Sequence, residues 1–254
     1  MTKFVILLKN KTIPDDPYEL KFEKEGYSTK FIPLLKHSHS DKDATKKYLC
    51  SEEFMQTPIF IITSQRAVEI LNECISELQD EAIKQRIFTK IGYTVGPATD
   101  QALKDAGFHN IRGGKRAGNG SILSNIIIDE IQNDQKIVFI TGEIRKDIIP
   151  RKLKDNGFQL SERVIYKTKP RTDIINNFKR EWENAPQNPW LVFFSPQGTE
   201  EIVSHIVNTG ATVKIASIGP TTKEYLDKKS LTPHIVSKKP EAGSLYESVF
   251  DFDG

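Results

Sequence analysis

In this chain of 254 residues, a hydroxyl side chain repeatedly stands where a short apolar run gives way to helical spacing. The positions are Ser64, Thr99, Ser195, and Thr221 with Thr222. FIITSQRAVEIL (60–71) and VFFSPQGTEEIV (192–203) show the pattern best. The first turn of a helix leaves backbone N–H groups unpaired and carries partial positive charge. A Ser or Thr there caps the helix. The same place binds phosphate or carboxylate. For any single corner, capping is the simpler reading. Four corners in one chain point further, to a surface rich in N–H donors suited to a ligand with many negative groups.

Other chemistries find little footing. The histidines, His37, His39, His109, His205 and His234, are scattered without metal-ligand spacing. Cys50 and Cys74 have no CxxC partner, which argues against both a zinc site and a disulfide framework. RGGKRAGNGS (112–121) is basic and glycine-rich but contains no GK[ST]. It reads as a surface loop rather than a phosphate loop. SPQG (195–198) lacks the G-x-S-x-G setting of a hydrolase serine. Glu143, just after the run IVFITG, is the one carboxylate placed where a cleft is expected. Tyr166 ends the run RVIYKT beside a proposed domain crossing. A net charge of +2 is too mild to imply nucleic acid. The apolar run in MTKFVILLKNK is too short for a signal peptide or a membrane span, and it reads as the first strand of a cytoplasmic protein.

The elements that must carry these residues alternate. Strand-like runs fall at 4–8, 30–35, 59–63, 91–95, 137–141, 163–168, 191–195 and 214–218, with helical stretches between most of them. That alternation predicts an α/β fold with mainly parallel sheets. The pattern also repeats. Ser195 follows Ser64 by 131 residues, IGPTTKEYL follows VGPATDQAL by 123, GSLY follows GSIL by 123, and VFITGE follows VILLKN by 133. The chain reads as a tandem duplication of a roughly 125-residue α/β unit. Polar KHSHSDKD (36–43) and proline-containing KTKPRTD (167–173) mark candidate crossings between two domains.

FIITSQRAVE, TVGPATDQAL, ITGEIRKDIIPRKLKDNGF, VIYKT, LVFFSPQGTEEI and ASIGPTTKEYL, taken in order, resemble uroporphyrinogen-III synthases of the haem pathway. The resemblance implies two parallel-sheet α/β domains joined by a two-stranded β-ladder. Domain one would take residues 1–36 plus 170–254, and domain two residues 37–169. It implies a monomeric enzyme without metal or cofactor that cyclises hydroxymethylbilane, a linear tetrapyrrole, with loss of water and inversion of the terminal ring. Tyr166 would help the hydroxyl leave. Thr99, Thr221 and Thr222 would bind carboxylates, and Ser64, Gln65, Arg66, Ser195, Gln197 and Gly198 would line the same cleft beside Gly142 and Glu143. The alternative is a non-catalytic bilobal protein that binds a small polyanion without converting it. A nucleotide-dependent α/β enzyme would need a phosphate loop, and none is convincing here.

Overall fold

The structure, a computed structural model, describes residues 3–13, 15–186 and 188–253. Its strands in chain order are β1 Lys3–Leu8, β2 Tyr27–Phe31, β3 Leu35–His39, β4 Ile59–Ile62, β5 Ile91–Val95, β6 Ile111–Gly114, β7 Ile137–Gly142, β8 Leu160–Pro170, β9 Trp190–Phe193, β10 Lys214–Ser217 and β11 Ile235–Val236. They form two compact units. Residues 1–36 with 169–254 make one, and residues 37–168 make the other.

The first unit holds a parallel sheet in the order β11-β10-β9-β1-β2. The second holds β3-β8-β7-β4-β5-β6, parallel from β8 to β6. The near-continuous apolar runs at the sheet centres follow from this. Helices cover both faces of a parallel strand, so its alternate residues enter two different cores. Phe60 and Ile62 of β4 face one buried cluster, and Ile59 and Ile61 face another. In the first unit Ile6 and Leu8 oppose Val5 and Leu7 in the same way. Each such aliphatic side chain contributes about 1.5–3 kcal/mol by leaving water.

The two sheets repeat one plan. β4, β5 and β6 correspond to β9, β10 and β11, while β7 and β8 correspond to β1 and β2, so both sheets share one strand order. The helices that follow β1 and β7 each end just before a glycine of positive φ, Gly26 at +80° and Gly157 at +79°. Tyr27 and Phe158 then turn into the core. The order reverses direction between β9 and β1, and again between β4 and β7. At such switch points a crevice opens beyond the carboxyl ends of the strands.

Two sequence expectations need correction. The run 30–35 is not one strand, because β2 ends at Phe31, Pro33 lies outside any strand, and β3 begins at Leu35. Proline has no N–H for a ladder, so it sits between the two. The polar segments taken as linkers are partly strand. His37, Ser38 and His39 belong to β3, and Lys167 to Pro170 belong to β8. Both chain crossings fall inside these two neighbouring strands. Their polarity suits exposed edge pairing as well as it suits a linker.

One glycine is required by the second unit. Gly113 has φ +83°, and a Cβ there would stand 2.5 Å from the Thr94 carbonyl oxygen and 2.6 Å from Leu123 Cδ1. Gly113→Ala is therefore expected to destabilise the protein by about 2–4 kcal/mol, combining left-handed strain with overpacking. Denaturant unfolding checks this. An unchanged midpoint would mean that the end of β6 relaxes freely.

Candidate functional site

Ser64 follows β4 and caps the helix Gln65–Ser76, its hydroxyl accepting from the Ala67 N–H at 3.2 Å. The cap leaves that hydroxyl with a second bond. It lies 3.2 Å from the Tyr166 hydroxyl, across 102 residues of sequence. Tyr166 reaches this place through an irregularity in β8. Thr141 pairs with Val164 but Gly142 pairs with Tyr166, so Ile165 is an extra residue. Such a bulge re-aims side chains. Here it lets both Ile165 and Tyr166 pack on the same cluster as Ile140 and Ile62. Gly142 supplies the room, since a Cβ there would lie 2.4 Å from Tyr166 Cζ. The Glu143 N–H donates to the Tyr166 carbonyl at 3.0 Å, so the two strands stay bonded beyond the bulge.

These groups border a cavity of about 520 Å³ at the carboxyl edge of the second sheet. Thr63 and Ser64 come from the end of β4, Ile140 and Thr141 from β7, and Tyr166 from β8. Asn119 and Ser121 come from the start of the helix Gly120–Glu130, where Asn119 caps the Ile122 N–H at 3.0 Å. The cavity therefore sits at the β4/β7 switch point. Its cations are Arg145 and Lys146. Arg145 is engaged by Glu162, at 2.7 Å from Nε, and by Asp147 at 3.1 Å. Among the described residues Lys146 has no ion-pair partner, and it is exposed. Arg66, in the first turn after Ser64, pairs with Glu69 while its Nε is buried without a hydrogen-bond partner among the described residues. Gln65 is half-buried beside it, and Glu143 is exposed. Backbone donors, hydroxyls and two cations around one apolar floor can hold carboxylates of a ligand whose body is apolar.

Thr99 and Thr222 occupy matching places. Each is the third residue of a helix that opens with Pro after a Gly cap, Pro97–Asp105 and Pro220–Lys228. Neither is a side-chain cap. Both are nearly buried, at 5% and 4% exposure. Among the described residues, neither hydroxyl is a buried oxygen left without a partner. A hydroxyl open to solvent at a helix start can bond a carboxylate beside the unpaired N–H groups of the first turn. Thr222→Val is therefore expected to raise KM about tenfold, the value of one hydrogen bond to a charged group. Because Val keeps the shape, melting should barely move. A collapsed melting temperature with unchanged KM would make Thr222 purely structural. Thr221, its neighbour, is exposed.

Ser195 departs from expectation. It stands on a turn after β9, and the helix Glu200–Thr209 begins only after Thr199. Pro196, Gln197 and Gly198 intervene, and Gly198 turns the chain at φ +78°, close against Leu34. Ser195 is half-buried, Gln197 exposed and Gly198 buried. The likeness between Ser64 and Ser195 holds for the strand but not for the helix start, since Gly198 in the left-handed region turns the chain before the helix begins.

The basic stretch 112–121 is not a single surface loop. Arg112 and Gly113 lie in β6, and Arg112 approaches Tyr93 and Glu130 at 3.2 and 3.5 Å. Arg116 shares Glu130 at 3.5 Å, and Asn119 caps the next helix. Sequence reasoning passed over Asn119, Ser121, Arg145 and Lys146. Their signals were present: an Asn before an apolar helical run, and a cation pair directly after the strand that ends in Gly142.

A family model described as uroporphyrinogen-III synthase HemD matches residues 16–247. The chain is 42% identical to the uroporphyrinogen-III synthase of Saccharomyces cerevisiae, over 96% of this chain and 94% of that protein. The chain belongs to the uroporphyrinogen-III synthase family. Its identity to the Schizosaccharomyces pombe uroporphyrinogen-III synthase is 34%, over 99% of this chain and 98% of that one. Among solved structures, the uroporphyrinogen-III synthetase of Helicobacter pylori superposes with a TM-score of 0.58 at 16% identity, covering 99% of each chain. A mutant Thermus thermophilus uroporphyrinogen III synthase gives 0.50 at 15%, covering 98% of each. Those two likenesses concern the fold alone. Family membership makes this chain an enzyme of tetrapyrrole biosynthesis, a cyclising lyase. No helix among the described residues is long and apolar enough to cross a membrane.

Proposed function

We propose that the carboxyl edge of the second unit binds hydroxymethylbilane and assists departure of its hydroxyl group, with Tyr166 as the donor. The observation that carries this is the Tyr166 hydroxyl held 3.2 Å from Ser64 at the wall of the 520 Å³ cavity. Ser64 accepts from the Ala67 N–H, so its own proton can bond Tyr166 Oη. The phenol proton is then free to meet the leaving oxygen. The C–O bond breaks, the hydroxyl takes the phenol proton and departs as water, and the pyrrole nitrogen supplies the electron pair and releases its own proton, which restores the phenol. The resulting azafulvene is attacked by the substituted carbon of the terminal pyrrole. The spirocycle opens and recloses with that ring inverted.

Pyrroles supply their own electron push, so the protein's task is to hold the chain with the hindered carbon within reach. Ser64, Gln65, Arg66 and Thr99 of the second unit serve that task by binding carboxylates, and Ser195, Gln197, Gly198, Thr221 and Thr222 offer the corresponding carboxylate-binding corners of the first unit. Gly142 and Glu143 shape the Tyr166 site. The two cysteines, Cys50 exposed and Cys74 buried, are free thiols that suit a reducing compartment. We place the enzyme in the cytoplasm, as a monomer. The comparisons lend no support to a non-catalytic polyanion-binding protein.

The test is a coupled assay in which hydroxymethylbilane is generated in situ, the pure protein is added, and the oxidised uroporphyrins are separated. Mostly type III isomer is expected. Type I alone, at the rate of the protein-free control, would overturn the proposal.

A further inference from the structure

Beside Tyr166 stands a histidine that the reaction as described does not use. β3 runs next to β8, where the Ser40 N–H donates to the Ile165 carbonyl at 2.9 Å. That pairing sets His37 against Thr168, and His37 Nδ1 lies 3.0 Å from Thr168 Oγ1. Tyr166 is two residues from Thr168 along the same strand. It therefore shares a face with Thr168 and is a diagonal neighbour of His37. The imidazole and phenol rings meet edge to face, with centroids 5.9 Å apart at 73°. Gly142 is beneath the phenol ring, Ser64 is at its hydroxyl, and His37 is at its side.

We propose that His37 is a positioning residue for Tyr166, its Thr168-anchored ring fixing the direction in which the phenol hydroxyl points. The inference rests on the reading of Tyr166 as the donor. An edge-to-face pair adds a preference beyond burial, enough to choose between orientations of one ring. Burial, and then the nearby Arg66 guanidinium, hold His37 below its ordinary pKa. At neutral pH it is an uncharged wall that Arg66 does not repel. The bulge at Ile165 makes such a wall necessary, because the strand is least regular just where Tyr166 must be aimed.

The test is a double-mutant cycle on the full chain with hydroxymethylbilane generated in situ. His37→Ala is expected to lower kcat about tenfold while leaving KM within about twofold, the signature of a group that acts on the chemical step and not on binding. In a Tyr166→Phe background the same change should alter kcat by less than about twofold, because residues acting as one unit are not additive. His37→Phe, which keeps an aromatic edge but loses the Thr168 bond, should restore only part of the loss. Equal losses in both backgrounds, or a loss confined to KM, would overturn the inference by showing that His37 acts on its own. If His37→Ala does not fold, Thr168→Val severs only the anchor and must show the same non-additivity. Should Tyr166→Phe alone retain parental turnover, the donor reading fails. Positioning is then read from the Tyr166 ring-carbon resonance: a shift in His37→Ala supports the contact, and an unmoved resonance overturns it.

Discussion

A Tyr166→Phe enzyme is expected to turn over hydroxymethylbilane roughly 10- to 100-fold more slowly than its parent, the lower range for loss of a positioned proton donor. The substitution removes one oxygen and leaves the ring on its cluster beside Ile165 and Ile140. The Ser64 hydroxyl keeps its capping bond to Ala67. Stability should therefore change by less than about 1 kcal/mol, because a half-buried hydroxyl pair contributes little net. The loss should fall on kcat, with KM nearly constant, since the phenol meets the leaving oxygen and not the carboxylates. The type III fraction should persist, because ring inversion depends on how the chain is held. Parental turnover would remove Tyr166 from the mechanism. A switch to type I product would instead make it a geometric guide.

Gly142→Ala should be the more damaging change. The added methyl would lie 2.4 Å from Tyr166 Cζ and 2.8 Å from both flanking ring carbons. The Gly142 backbone is fixed on both sides, by its pairing with Tyr166 and by the Glu143 N–H bond beyond it. The ring must therefore move, and it leaves Ser64. A displacement of about 1 Å at a reacting group can cost about 100-fold in rate. Overpacking adds about 1–3 kcal/mol of destabilisation. The expected outcome is kcat at or below that of Tyr166→Phe, with a lowered melting temperature. Combining the two substitutions should reduce kcat little beyond Gly142→Ala alone, as the donor is already lost. Parental kcat in the alanine variant would show that the ring has another place to go and that Gly142 does not set it.

Much of this molecule was legible in one dimension. Alternating apolar runs and helical stretches determined two parallel-sheet units, because strands buried on both faces must be apolar throughout, and their recurrence marked the duplication. The corner at Ser64 and the G-P-x-T starts at Thr99 and Thr222 were visible as residue types next to strand ends, since a helix start is a local property of a few adjacent residues, although of the three only Ser64 caps with its side chain. Ser195 misled for the same reason. A serine after a strand looks alike whether a helix follows at once or, as here, after a turn built on Pro196 and Gly198. Tertiary structure alone decided the rest. Ser64 and Tyr166 are 102 residues apart and meet only because β4, β7 and β8 are neighbours in one sheet. The bulge at Ile165 sets which face Tyr166 takes, and no local pattern announces it. His37, read from the sequence as part of a polar crossing without metal spacing, lies in a strand and against the phenol ring. Local propensity is written in neighbouring residues. Which distant side chains share a sheet edge is determined by strand order and register, and these exist only once the whole unit has folded.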